Sequence, residues 1–276
     1  MNAARKFILI AVSALLMCGA SFAQINIKFY SGFGGGSATG TKVNYQMRPY
    51  TDNVPVLTGA PFSGVEEAER HRVLIDGTHI DWVAHPEKYW RDSAGDTRAE
   101  IPLFSYETPV TRGFPEIVVI FNVADSCEYV LDPEKHVAHR FSVKVIVAPK
   151  TGVTLANETN RVNSYHLDNL HQTVKTEELG TNVVEGLIAQ GRRTTITKDP
   201  GFEKGDELAE FVTEKWDSVD LQLEVLYKSD AIHSTDNIRK LTNVNRAEPD
   251  AGLFHVPAGY TIVDETAPFH VIMSKN

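Results

Sequence analysis

Cysteine is almost missing from this chain. Of the two present, Cys18 lies in an apolar N-terminal stretch, so Cys127 alone stands in the body of the sequence. An internal disulfide is excluded once that stretch is removed, and so is any paired-cysteine zinc motif. Cys127 sits in the apolar context CEYVL and reads as a small buried residue rather than a reactive thiol. Positive charge is scarce too: 27 Lys+Arg stand against 36 Asp+Glu, a net charge of −9. Nucleic acid is a poor partner for such a surface, because phosphate binding needs a positive field. Anionic lipid surfaces are not attracted to it at long range, and the overall charge favours a neutral or cationic ligand over an anionic one. Long apolar runs are absent. The longest, Phe7–Leu16, falls well short of the ~20 residues a spanning helix needs.

Familiar catalytic patterns are missing as well. There is no Gly-x-Ser-x-Gly elbow and no His-Glu-x-x-His zinc helix. The Gly/Ser-rich run Ser31–Thr41 has Gly40-Thr41-Lys42 where a phosphate loop needs Gly-Lys-Ser/Thr, so it reads as a flexible linker. The ten histidines form no ligand spacing. His136 and His139 are three apart and fall on opposite strand faces, while His166 and His171 lie where spacing constrains little. Glu66-Glu67 and Glu177-Glu178 read as solvated pairs. No cofactor, metal or catalytic residue is indicated, and the expectation is a protein that is not an enzyme.

What is present begins with an export signal. Arg5 and Lys6 precede the apolar run, and Ser21-Phe22-Ala23 is a small-x-small cleavage site, so residues 1–23 read as a signal peptide cut after Ala23. Lipidation at Cys18 is the alternative, but the bulky Met17 before it favours cleavage. Loss of Arg5 and Lys6 with the leader takes the net charge from −9 to −11. The expected location is periplasmic or secreted, with no transmembrane segment in the mature chain.

Residues 24–60 are poorly patterned and read as a flexible Gly-rich segment. From residue 61 onward the pattern is β. Asp76-Gly77 separates two β-prone runs, Arg70–Ile75 and Thr78–Val83, and is the strongest short hairpin signal. Ser93–Asp96 marks a second hairpin. Ile117–Val123 is a continuous apolar run that reads as a strand covered on both faces. Residues 137–147 read as one long strand with His139 on its packed face. Residues 149–175 form a connector with room for a helical turn, joining two β-rich halves, 61–148 and 176–276, into what reads as one sheet. In the second half Glu185-Gly186 is a tight turn between short strands. Leu208–Trp216 and Leu221–Tyr227 flank the turn 217–220, and Leu221, Leu223 and Val225 alternate with polar neighbours. Asp250–Phe254 has room for one helical turn. No amphipathic helix of useful length is visible. The fold class is all-β or strongly β-dominated: a large curved antiparallel sheet with little helix.

Two segments carry a resemblance. Residues 61–101, with RDSAGDTR, and residues 213–262, with LTNVNRAEPDAGLFHVPAGY, resemble a family of exported proteins found largely in soil acidobacteria. More distantly, the second segment is similar to the lipoprotein-localisation (LolA/LolB-like) periplasmic carriers, where a Trp-bearing strand leads to a Phe-x-x-Pro-x-Gly-Tyr element. Here those residues are Trp216, Phe254, Pro257, Gly259 and Tyr260. The resemblance implies a half-barrel whose concave face takes lipid under covering helices, although no covering helices can be found in this sequence. It carries over no catalytic residue. Trp216, Leu221, Leu223, Val225, Phe254 and Tyr260 are therefore expected to line one packed apolar face. Three functions stay open: a carrier for an apolar ligand such as lipid, an envelope protein–protein interaction module, and an enzyme with a dispersed site. Fold by itself does not choose among them.

Overall fold

In the computed structural model the described residues are 34–39, 42–47, 49, 53–74, 76–102, 116–147, 162–201, 210–231 and 235–274. The signal peptide and its cleavage site lie outside them. In chain order the strands are β1 (Gly34–Thr39), β2 (Lys42–Met47), β3 (Asn53–Val56), β4 (Phe62–Val73), β5 (His79–Val83), β6 (Glu87–Arg91), β7 (Thr97–Pro102), β8 (Glu116–Asn122), β9 (Cys127–Asp132), β10 (Val137–Ser142), β11 (Lys144–Val147), β12 (Val162–Leu167), β13 (Gln172–Val184), β14 (Leu187–Lys198), β15 (Glu210–Ser218), β16 (Leu223–Ala231), β17 (Thr235–Asn245), β18 (Thr261–Asp264) and β19 (Phe269–Ser274). Two short 3-10 turns, Asp168–Leu170 and Ala251–Phe254, are the helical elements among the described residues. Asp250 caps the second by accepting from the Gly252 N–H at 2.7 Å.

One 14-stranded sheet runs in the order β12-β13-β14-β15-β16-β17-β4-β6-β7-β8-β9-β10-β18, with β5 also paired to β4. Its pairings are antiparallel except β10–β18. The two sequence halves meet where β17 pairs with β4, from Thr235↔Arg72 to Asn245↔Ser63. The hairpin tips fall where the turn residues predict. Gly77 between β4 and β5 has φ 82°, and Glu185-Gly186 between β13 and β14 have φ 48° and 77°. At Glu185-Gly186 both central positions have the positive φ that a two-residue hairpin turn needs. At Asp76-Gly77 only Gly77 does, and that turn runs from Leu74 to Thr78 with the Gly77 N–H donating to the Leu74 carbonyl at 2.9 Å.

Burial on β8 to β10 follows from coverage of both faces. On one face Ile117, Val119, Phe121, Val130 and Phe141 form a core with Met47 of β2, Val56 of β3, and Phe269, Val271 and Met273 of β19. The small sheet β1-β2-β19 and the parallel pair β3–β11 are the elements packed there. On the other face Ile120, Tyr129, Leu131 and Ala138 lie under Val256 and Tyr260 of the connection from β17 to β18. Every residue of β9 is buried for this reason.

Several local expectations change. Part of the Gly/Ser-rich run forms β1, because it can hydrogen-bond along β2 from Gly34↔Gln46 to Thr39↔Lys42. The long strand expected over 137–147 breaks after Ser142, and β11 leaves the large sheet to pair in parallel with β3. The residues given to a connector after 161 are β12, the turn Asp168–Leu170 and the start of β13. Residues 148–161 lie outside the described residues. The turn at Glu185-Gly186 joins strands of 13 and 12 residues, not short ones.

The half built from β12 to β17 is curved. Three pairings, every second one across this half, carry an extra residue: at Glu178/Gly180 in β13, at Val225 opposite Trp216/Asp217, and at Thr242/Asn245 in β17, where Asn243 has φ 52°. Such bulges bend a strand and increase its twist. The bend can be measured by what it brings together. On a flat sheet β6 and β16 stand three steps apart, about 14 Å at about 4.8 Å per step. Yet Arg91 of β6 donates from Nη2 to the Leu221 carbonyl, in the turn before β16, at 3.0 Å. Lys240 of β17 likewise reaches Glu185, at the tip of the β13–β14 hairpin three steps away.

Candidate ligand-binding face

The curved half carries its own apolar cluster. Phe62, Val184, Leu187, Ala189, Trp216, Leu221, Leu223, Val225 and Leu241 are buried together, and Tyr89, Leu179, Leu226 and Val244 pack against them. All belong to strands of the large sheet or to the turns between them, in contrast to the core at β8–β10. Its centre is the cross-strand pair Gly191↔Trp216. The indole lies directly on Gly191: a Cβ there would stand 2.7–2.8 Å from three ring carbons. A strand glycine of this kind marks a place where something packs close to the backbone.

Polar groups hold the ring in place. Trp216 Nε1 donates to Glu214 Oε1 at 2.7 Å, and Arg193 Nη2 donates to Glu214 Oε2 at 3.1 Å. Burial alone would raise the Glu214 pKa, but the Trp216 and Arg193 hydrogen bonds overcome it and leave the carboxyl below its ordinary value. At the β4–β6 side of the cluster the Tyr89 hydroxyl donates to Glu87. Burial, then the nearby Glu87 and Glu66 charges, raise the Tyr89 pKa, so the phenol stays protonated. A charged row lies alongside. Arg239 stacks on Tyr227 at 4.7 Å and pairs with Glu224 at 2.9 Å, and Lys215 reaches the same carboxylate at 3.4 Å.

Arg91 borders the cluster and is only 1% exposed. Its Nε donates to the Ala60 carbonyl at 2.9 Å, its Nη2 to Leu221, and its guanidinium sits over the Phe62 ring at 5.0 Å. Nη1 is buried and has no hydrogen-bond partner among the described residues. Burial first, then the like charge of Arg246, push its pKa down to about 10.

Four of the six expected face residues come together here: Trp216, Leu221, Leu223 and Val225. Leu221 does so from the turn rather than from a strand, because β16 starts at Leu223. The other two sit elsewhere. Phe254 is buried in the 3-10 turn that lies against β7 and β8, and Tyr260 packs on the Ile120 cluster. Sequence proximity and a shared motif placed them with Trp216. The long β17–β18 connection instead carries them across the opposite half of the sheet. Gly191 and Arg91 were not singled out from sequence. A glycine inside the β-branched stretch Arg192–Thr197 and its lead-in was a usable signal; nothing marked Arg91 in YWRD.

His139, expected on a packed face, is buried: Nδ1 is 2.7 Å from Glu265 Oε1 and the ring stacks on Phe269 at 4.4 Å. Among the described residues no group of three His, Cys, Asp or Glu side chains is arranged to hold a metal ion. Among them, too, no helix is long and apolar enough to cross a membrane.

No family model matches the chain, and no curated protein matches it in sequence. Among solved structures it is similar to a hypothetical lipoprotein, YmcC, from Escherichia coli K12, at 11% identity over 70% of this chain and 90% of that one, with a TM-score of 0.24. It is also similar to a LolA superfamily protein, NE2245, from Nitrosomonas europaea, at 7% identity over 71% of this chain and 90% of that one, with a TM-score of 0.28.

Proposed function

We propose that this is an exported periplasmic protein, not an enzyme, that binds an apolar ligand such as lipid on the concave side of its curved sheet. One observation carries the reading: the Trp216 cluster is built by the large sheet and its turns alone, with no second layer of described residues over it. Elsewhere the same sheet buries its apolar residues under a small sheet or a connecting strap. The curl of the sheet already shields these side chains from solvent, and an apolar ligand entering between its walls would meet apolar surface on several strands at once. The leader-like residues 1–23 and the resemblance of the Trp216–Tyr260 region to exported carriers support the location.

The test is an organic extract of the purified mature protein, examined by mass spectrometry, followed by displacement of a bound apolar fluorophore with envelope lipids. Co-purifying lipid and competitive displacement are expected. A folded protein that neither carries lipid nor binds the fluorophore refutes the reading. N-terminal sequencing of the exported form should start at Gln24; a lipid-modified Cys18 would make it membrane-tethered instead.

A second reading, an envelope interaction module, is favoured by one feature. β12 is an end strand of the large sheet, and Val162–His166 are all exposed, with Val162 and Tyr165 about half accessible. Open edges of this kind template pairing with another chain. A Val162→Lys, Tyr165→Lys variant that keeps ligand binding but loses a protein partner would favour it.

A further inference from the structure

The guanidinium of Arg91 is a buried positive charge without a buried negative one. Two of its nitrogens are spent on backbone carbonyls, Ala60 and Leu221, and those are neutral acceptors. Nη1 is shut off from solvent and unpartnered among the described residues. After burial, the influence on it is the charge of Arg246, also positive. Arg246 is paired with Asp220 at 3.5 Å, where Asp220 is well exposed and Arg246 half so, and exposed pairs of that length are weak. A buried charge is ordinarily paired and fully hydrogen-bonded, because its desolvation is otherwise uncompensated. Phe62 and Leu221, which touch Arg91, are both members of the Trp216 cluster. The cation therefore stands at the border of the apolar face, at the place where the head of a molecule with its tail on that face would sit.

We propose that Arg91, assisted by Arg246, is an anion-binding site that takes the carboxylate or phosphate oxygen of an amphiphile whose tail lies on the Trp216 cluster. The proposal rests on the ligand-binding reading above and names its substrate class: an anionic lipid. It runs against the chain's net negative charge. Within a buried site, however, a cation bonded only to neutral carbonyls outweighs distant surface carboxylates, which salt screens over about 10 Å. The planar fork of arginine suits bidentate recognition of such oxygens in a way that lysine does not.

The full mature protein is titrated calorimetrically, below the micellar range, with oleate, with monoolein as the neutral molecule of the same tail, and with inorganic phosphate at constant ionic strength. Arg91→Lys and Arg246→Gln variants are run in parallel, with thermal melts confirming that each is folded. Oleate is expected to bind at least about tenfold more tightly than monoolein, as hydrogen bonds to a charged group imply. That preference should fall by about tenfold in Arg91→Lys and shrink in part in Arg246→Gln. Equal binding of oleate and monoolein by the wild type sinks the anion site and keeps the carrier reading. Phosphate binding that is lost in Arg91→Lys, with neither lipid bound, keeps the anion site and sinks the carrier reading. No binding of any of the three sinks both. If Arg91→Lys fails to fold, the wild-type comparison of oleate with monoolein, together with Arg246→Gln, decides the question.

Discussion

Replacing Gly191 with alanine tests whether the Trp216 ring is held against the sheet as described. The new methyl carbon would meet three ring carbons at 2.7–2.8 Å. An indole is rigid, and this one is fixed by the 2.7 Å hydrogen bond to Glu214, so it cannot swing aside at little cost. Overpacking of this kind costs about 1–3 kcal/mol. Trp216→Ala alone should cost about 3–5 kcal/mol, the range for deleting a large buried aromatic. The informative variant is the double one. Once the ring is gone the added methyl has nothing to strike, and alanine in a strand is about 0.5–1 kcal/mol better than glycine. The cost of Gly191→Ala should therefore vanish or reverse in the Trp216→Ala background. Urea unfolding followed by far-ultraviolet circular dichroism, with matching slopes across the four proteins, gives the coupling directly. Additivity within about 0.5 kcal/mol would show that ring and glycine do not touch, and would remove the centre of the candidate site.

Phe254→Ala should destabilise by about 3–5 kcal/mol while leaving apolar-ligand binding intact, because Phe254 is buried against β7 and β8 rather than near Trp216; lost binding in a folded variant would place it back in the site. Gly77→Val should cost about 1 kcal/mol or more in a thermal melt. The φ of 82° strains a β-branched residue even though a Cβ there meets nothing within 4 Å, so an unchanged melt would argue against that turn. Glu214 offers a pH test. Its folded pKa is lowered, so its contribution to stability is present above the ordinary value of 4.5 and is lost as pH falls through the folded value. Trp216→Phe removes one of the hydrogen bonds responsible. Its stability deficit against the wild type should narrow as pH drops below 4.5, and a constant deficit across that range would contradict the Trp216–Glu214 link.

The features that the chain determined by itself are the ones with local causes. Asp76-Gly77 and Glu185-Gly186 make turns because of the dihedral angles they tolerate, and the hairpins follow wherever they stand. The apolar run at 117–123 implied cover on two faces, and both covers exist. Leu223 and Val225 read as buried and are buried. Tertiary structure decided the rest, because its causes lie far apart in the chain. The pairing of β17 with β4 brings residues more than 160 positions apart into register, and no period in either strand announces the partner. The extra residue at Val225 lets Leu223 and Leu226 both share Trp216's side of the sheet, which strict alternation forbids. The break after Ser142 cannot be seen in the alternation over 137–147, since β3 is what recruits β11. Arg91 became notable only when the curl of the sheet set it against Leu221, 130 positions along the chain. Its burial, its two carbonyl partners and its open Nη1 all arise from that curvature.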